Sequence, residues 1–151
     1  MTVSVFVENE AGSEQKNHYD EQTLTFKFAE KVSRAYPFSY GFIAGTNAAD
    51  GGRVDCFVIT KRALRMGEIV ECEVIALMEQ IEDGSVDHNV LARLSEEPIE
   101  LTTEIQDVLT DFVLNVFQHV AGKQIRVGRF LSAADASAHI TESLSQRASA
   151  I

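Results

Sequence analysis

Residues 69–77 read IVECEVIAL and residues 105–120 read IQDVLTDFVLNVFQHV, and the change of period between these two stretches decides the fold. In the first, Val70, Cys72 and Val74 share one face while Ile69, Glu71, Glu73 and Ile75 share the other, the period-two alternation of a half-buried strand. In the second, Ile105, Val108, Leu109, Phe112, Val113, Val116, Phe117 and Val120 recur three, four and seven apart, which makes one apolar stripe on an amphipathic helix. That stripe reads as core packing. Upstream of it the chain continues in β fashion: VSVFVE at 3–8, TLTFKF at 23–28, the short apolar run VDCFVI at 54–59, and a run at 89–94. Turn-forming segments separate these runs, at AGSEQKN (11–17), YPFSYGF (36–42), GTNAADGGR (45–53), RMGE (65–68) and EDGSVDHN (82–89).

Downstream, Thr103 with Gln106 is predicted to form a capping box and Gly122 to stop the helix. A strand at IRVGRF (125–130) follows, then a second helix from a Ser132 cap to about Arg147, with QRASAI expected to fray. Several short strands followed by helices, without a repeated βαβ rhythm, predict a mainly β (α+β) fold. It is a small barrel flanked by two C-terminal helices, with residues 1–151 forming one domain.

The chain has 151 residues, 13 Lys and Arg against 23 Asp and Glu, and a net charge of −10. A surface of that sign repels nucleic acid and anionic membrane, so neither is expected as a partner. No stretch approaches the roughly 18 apolar residues of a membrane span, and MTVSVFVENE lacks the layout of a signal peptide, so a cytoplasmic location is expected. Cys56 and Cys72 lie in apolar or alternating runs with no ligand spacing, and are read as reduced, buried thiols.

Chemistry concentrates in two acidic turns. Asp50 and Asp55 bracket a Gly-Gly turn, and Glu82, Asp83 and Asp87 fall together in EDGSVD. Short carboxylates on closely approaching backbone suit hard cations, although acidic turns also occur simply as solvated surface or Asx-turns. Tyr36 and Tyr40 offer hydroxyls to a ligand or aromatic packing at a barrel rim. Lys16 and His18 lie in a polar turn that either contacts an anion or faces solvent. His88, His119 and His139 are too scattered for a ligand set, and there is no phosphate loop or nucleophile elbow.

Four segments, in order, resemble the soluble inorganic pyrophosphatases of the first family. VENEAGSEQKNHYDEQT is similar to IEIPxGSxNKYEYDKET. YPFSYGFIAGTNAADGGRVDCFVIT is similar to YPxNYGFIPxTxxxDGDPxDVLVxT, IEDGSVDHNVLA to IDEGxxDDKVLA, and GKQIRV to GKxVxV. The resemblance implies an OB-like five-stranded barrel flanked by helices, a hexameric or other homo-oligomeric assembly, and magnesium-dependent hydrolysis of diphosphate to two phosphates. It implies that Asp50, Asp55 and Asp87 hold a metal pair, that Glu82 holds a substrate-side metal and that Glu8 supports a further one. Lys16 and Tyr40 match residues that contact phosphate.

Several positions depart from that pattern. The middle aspartate of the metal signature, which takes the water's proton in the family mechanism, is Gly52 here, and the proline after it is Arg53. Loss of a positioned base removes about 10²- to 10⁴-fold in rate. The family's phosphate-binding arginine falls on Phe28, with Lys27 and Arg34 nearby. A lysine falls on Asn89, a tyrosine–lysine pair on Val116 and Phe117, and a glutamate on His18. These changes predict a weakened diphosphatase in which Arg53 or Lys27 substitutes for a lost cation. The competing readings are a pocket reshaped by Phe28, Val116 and Phe117 for another ligand, and an inactive homologue that binds metal or anion or serves assembly.

Overall fold

The computed structural model describes residues 1–47 and 52–149, with side chains described as far as Leu144. The described strands are β1 (Thr2–Asn9), β2 (Gln15–Asp20), β3 (Thr25–Lys31), β4 (Ser39–Ile43), β5 (Asp55–Val58), β6 (Ile69–Glu82), β7 (Ser85–Val86), β8 (Asn89–Leu94) and β9 (Ile125–Leu131). The helices are α1 (Thr103–Asn115) and α2 (Ala133–Ser149). Strands pair in the order β1-β4-β5-β8-β6, and β6 pairs back onto β1, so five strands close an OB-like barrel. Only β5–β8 among these pairs is parallel.

Inward-facing Val5, Val7, Cys56, Val58, Val70, Cys72, Val74, Val90 and Ala92 fill the barrel, and Ala136 and Ile140 of α2 pack against them. A second core lies on the outside of the barrel, where Phe57, Ile59, Ala76, Met78 and Leu91 meet Leu109, Phe112, Val113 and Val116 of α1 and its C-cap. Each large side chain so buried contributes roughly 1.5–3 kcal/mol.

β6 serves both cores because it changes face. A register shift against β8 between Val74 and Ala76 breaks the alternation, so Leu77 turns into the barrel while Ala76 and Met78 turn out under α1. A second shift lies on β1 between Val7 and Asn9 and sets Glu8 in a bulge opposite β4. Bulges re-aim side chains in this way without ending the sheet. Opposite this bulge, Gly41 passes so close to β1 that a Cβ there would sit 1.7 Å from the Phe6 carbonyl oxygen.

Several boundaries differ from the sequence reading. AGSEQKN and YPFSYGF are not only turns, since they carry the first half of β2 and most of β4. In both cases pairing partners, β3 for one and β1 with β5 for the other, override weak local signals. The strand expected at 23–28 begins at Thr25, because Asp20 Oδ1 accepts from Gln22 and Thr23 N and holds a tight turn up to Leu24, whose φ is +58°. The cap of α1 is Thr102, one residue earlier than expected, accepting from Ile105 N. The helix ends at Asn115, and the rest of its stripe continues through turns to Gly122, whose φ is +79°. Ser132 caps α2 as expected, its Oγ accepting from Asp135 N, and α2 runs through the tail to Ser149. Cys56 and Cys72 are buried free thiols, and burial pushes the Cys72 thiol up to about 12. No helix among the described residues is long and apolar enough to cross a membrane.

Candidate active site

The outer face of the barrel between α1 and the β2–β3 hairpin gathers most of the residues singled out in the sequence. Glu8 comes from β1, Lys16 from β2, Tyr40 from β4 and Asp55 from the start of β5; Glu82 ends β6, and Asp87 precedes β8. Their strand positions put them on one side. Tyr40 lies opposite Phe57, and Phe42 opposite Asp55. Lys16, Tyr36, Tyr40, Gln80, Glu82, Asp87 and Asn89 line a cavity of about 40 Å³, room for a few water molecules, floored by Phe57, Phe112, Val113 and Val116. Asp50 lies outside the described residues.

The carboxylates form a row. Asp55 and Asp87 are in side-chain hydrogen-bond contact, Asp87 contacts Glu82, and Glu82 Oε1 is 2.5 Å from Lys123 Nζ. Two acidic groups cannot share a hydrogen bond while both are ionised. Burial first, and then the charge of Asp87, hold the Asp55 pKa well above the usual carboxylate range. For Glu82, burial opposes ionisation, but the Lys123 hydrogen bond and the contact with Asp87 outweigh it and its pKa falls. Glu8 is buried, and burial followed by the negative charge of Glu21 raises its pKa to about 8 against the opposing pull of Lys16. Tyr40 packs 4.9 Å from the Phe57 ring and 5.7 Å from Tyr36. Burial and Asp55 push its phenol up, so its hydroxyl stays a hydrogen-bond donor.

Among the described residues no three His, Cys, Asp or Glu side chains converge on one point to hold an ion by themselves. Magnesium does not require that. It binds through one or two carboxylates and completes its octahedron with waters and substrate phosphate oxygens. An Asp55–Asp87 pair held by a shared proton is an oxygen donor set from which such a cation would displace the proton, so the residues present fit a hard divalent ion.

The cations are arranged differently from the sequence expectation. Arg53 does not enter the site, because its Nη1 donates to Thr46 O at 2.7 Å. Lys27 is exposed on β3, and Arg34 Nη1 bonds the Ser33 carbonyl. Phe28 does not shape the pocket either: it is about half exposed on the hairpin and stacks at 4.4 Å on His18, which pairs with Glu30 at 3.0 Å. Val116 and Phe117 do line it. Position 117 gathers cations around an aromatic ring, with Lys123 Nζ 4.3 Å and Lys16 Nζ 5.0 Å from its centroid. Asn89 Nδ2 donates to Gln80 Oε1 at 2.6 Å, a buried amide pair.

Sequence reasoning passed over Lys123 and Gln80. Lys123 was readable as the lysine of GKQIRV, whereas Gln80 reaches the site because the β6 shift between Val74 and Ala76 turns Ala76, Met78 and, by alternation, Gln80 outward, and for that shift the sequence carries no signal. His88 and His139, read as scattered, have ring centres 5.6 Å apart, because α2 folds back beside β6 and the residue preceding β8.

A barrel closed by β1 and β6 has counterparts among known proteins. The sequence model of the inorganic pyrophosphatases matches residues 5–147. An inorganic pyrophosphatase of Mycoplasma pneumoniae is 32% identical over 98 residues, 64% of this chain and 53% of that protein. One from Aeropyrum pernix is 30% identical over 146 residues, covering 89% of this chain and 83% of that protein. The crystal structure of the Thermus thermophilus inorganic pyrophosphatase superposes with a TM-score of 0.89 at 22% identity, over 96% of this chain and 90% of that one. The chain belongs to the inorganic pyrophosphatase family.

Proposed function

We propose that the protein hydrolyses inorganic diphosphate to two phosphates with magnesium as the activating ion, at a rate lowered by the absence of a carboxylate at Gly52. The observation that supports this most is the Asp55–Asp87 pair, two half-buried carboxyls in mutual contact beside Glu82 and within the field of Lys16. Such a pair is costly without a cation and serves one well.

In this reading Asp55, Asp87 and Asp50 hold the metal pair, Glu82 a substrate-side metal, and Glu8 supports a further one. Lys16 and the Tyr40 hydroxyl bind phosphate oxygens. Magnesium, when bound, polarises the bridging oxygen and lowers the pKa of the attacking water. Water adds to one phosphorus, the bond from that phosphorus to the bridging oxygen breaks, and its electrons leave with the second phosphate. The two protons of water end on the two products. Lys16 and Lys123, whose ammonium groups lie 5.0 and 4.3 Å from the Phe117 ring centre, offset charge that builds on the leaving phosphate. A homo-oligomer, a cytoplasmic setting and residues 1–151 as one domain belong to the same reading.

The test is phosphate release from diphosphate with magnesium, with manganese and with chelator. Turnover that disappears with chelator and in Asp55→Asn is expected. No turnover from folded protein with either metal would leave the alternative of a metal- or anion-binding homologue.

A further inference from the structure

Gln80 is held on every side but one. Its backbone oxygen accepts from Asp87 N at 2.9 Å and its backbone N–H donates to His88 Nδ1 at 3.0 Å, so β6 is clamped here to the turn that carries Asp87. Its side chain, like that of Glu82 two residues on, lines the cavity of the candidate site. Asn89 Nδ2 occupies Gln80 Oε1 at 2.6 Å, and the two residues are only 7% and 3% exposed. One arm of the Gln80 amide is left. Nε2 has no protein partner among the described residues and is not sealed in the interior, so it opens on the cavity that the residue lines. That arm is purely a donor. The carboxylates beside it, Glu82 and Asp87, are engaged with each other and with Lys123. A divalent cation accepts no hydrogen bond, and a water bound to one turns its lone pair to the metal and donates. The acceptor that a metal-bound anion brings to this wall is therefore a phosphate oxygen.

We infer that Gln80 is a substrate-binding residue whose Nε2–H donates to a phosphate oxygen of bound diphosphate, as the uncharged companion of Lys16 and the Tyr40 hydroxyl on that cavity. The inference rests on the diphosphatase reading above. Two features strengthen the contact. The amide is oriented before the anion arrives, by Asn89 at its tip and by Asp87 and His88 at its backbone, so little rotamer freedom is lost on binding. Donation from a neutral group is also scarcely weakened by salt, whereas the attraction of an exposed ammonium is screened.

The test uses Gln80→Met, which keeps the length of the side chain without its donor, alone and combined with Asn89→Leu. Replacing both partners of a buried hydrogen bond by apolar groups of similar shape is close to neutral for the fold, so the double variant stays folded even where the single one strands Asn89. Expected in both is a rise in KM for diphosphate of about tenfold or more, the effect of losing a hydrogen bond to a charged group. Since the contact is a binding one, kcat should stay within about threefold. The rise should be unchanged, to within roughly twofold, between about 0.05 M and about 0.5 M salt, whereas the rise caused by Lys16→Met shrinks as salt screens it. A double variant with the KM of the parent shows the amide pair to be packing alone and overturns the inference, as does a loss that fades with salt like that of Lys16→Met. Either result leaves the diphosphatase reading standing. A parent protein silent on diphosphate with both metals overturns that reading instead. Gln80 is then judged by calorimetric titration of inorganic phosphate in the presence of magnesium. Binding about fivefold or more weaker in the double variant supports its role. Phosphate bound equally by both proteins, or by neither, rejects it.

Discussion

The ammonium of Lys123 lies 2.5 Å from a carboxylate oxygen of Glu82, and both side chains are about one-quarter exposed. This ion pair joins the start of β9 to the end of β6, where Asp83 N also bonds Gln124 O. It is why Glu82 ionises more readily than an ordinary carboxylate despite its burial. A depressed folded pKa stabilises the fold above the unfolded value of 4.5, and that contribution is lost as pH falls through the folded value. Lys123→Gln should therefore cost about 0.5–1 kcal/mol at pH 7, discounted for partial exposure. The difference from the parent should be smaller at pH 3 than at pH 7, because Glu82 takes up its proton as the pH falls. Urea unfolding at both pH values measures it.

Glu8 titrates in the opposite sense. Its folded pKa of about 8 lies above the unfolded value of 4.5, so the native state holds a proton that the unfolded state has released. Stability linked to this group is full below 4.5 and declines as pH rises toward 8. Glu8→Gln, which cannot ionise, should become the more stable protein across that interval, by roughly 2–4 kcal/mol at pH 8 without metal. Millimolar magnesium should narrow the gap, because a cation near Glu8 favours its charged form. Denaturant midpoints of the two proteins at pH 5 and 8, with and without magnesium, give the comparison.

The barrel was legible because its interior strands alternate strictly. Val70, Cys72 and Val74 face inward as their spacing demands, and Leu109, Phe112 and Val113 bury the helical stripe. The acidic members of the site were legible too, since Asp55, Glu82 and Asp87 stand in recognisable turns. Register shifts were not. One sets Glu8 in a bulge and another, between Val74 and Ala76, turns Ala76, Met78 and Gln80 outward, and neither leaves a trace in alternation that is only a few residues long. The fate of Arg53 and of Phe28 was equally hidden. Arg53 and Phe28 could have faced the pocket, and only tertiary partners, the Thr46 carbonyl and the His18 ring, take them away from it.

Gly41 should tolerate no side chain. A Cβ there meets Phe6 O at 1.7 Å and Phe6 C at 2.8 Å, both backbone atoms of the paired strand, so no rotamer change relieves the overlap. Gly41→Ala must force β4 away from β1, at a cost beyond the ordinary 1–3 kcal/mol of overpacking. Tyr40, next in sequence, would move with it. A thermal melt is expected to show a loss of at least 10 °C or no cooperative transition, roughly the shift such a penalty produces in a chain of this size. A melt within about 3 °C of the parent would mean the strands can separate freely, contrary to the closed pairing.

Asn89 falls where the sequence resemblance implies a lysine, and it is buried with its Nδ2 on Gln80 Oε1. The neighbouring charges, Glu82 and Asp87, are negative, so an ammonium at this position would be drawn towards the carboxylate row rather than expelled from it. Asn89→Lys keeps a donor for Gln80 and adds the positive charge that diphosphate lacks on this wall. KM for diphosphate should fall about fivefold or more, against an overpacking cost of about 1–2 kcal/mol. Asn89→Leu is the counterpart: it removes the donor, strands the Gln80 oxygen at a cost of about 1–3 kcal/mol, and should leave KM no lower. If Asn89→Lys binds diphosphate no better than the parent while remaining folded, charge on this wall does not limit recognition. Lys16 and Lys123, 5.0 and 4.3 Å from the Phe117 ring centre, would then be the cations that set it.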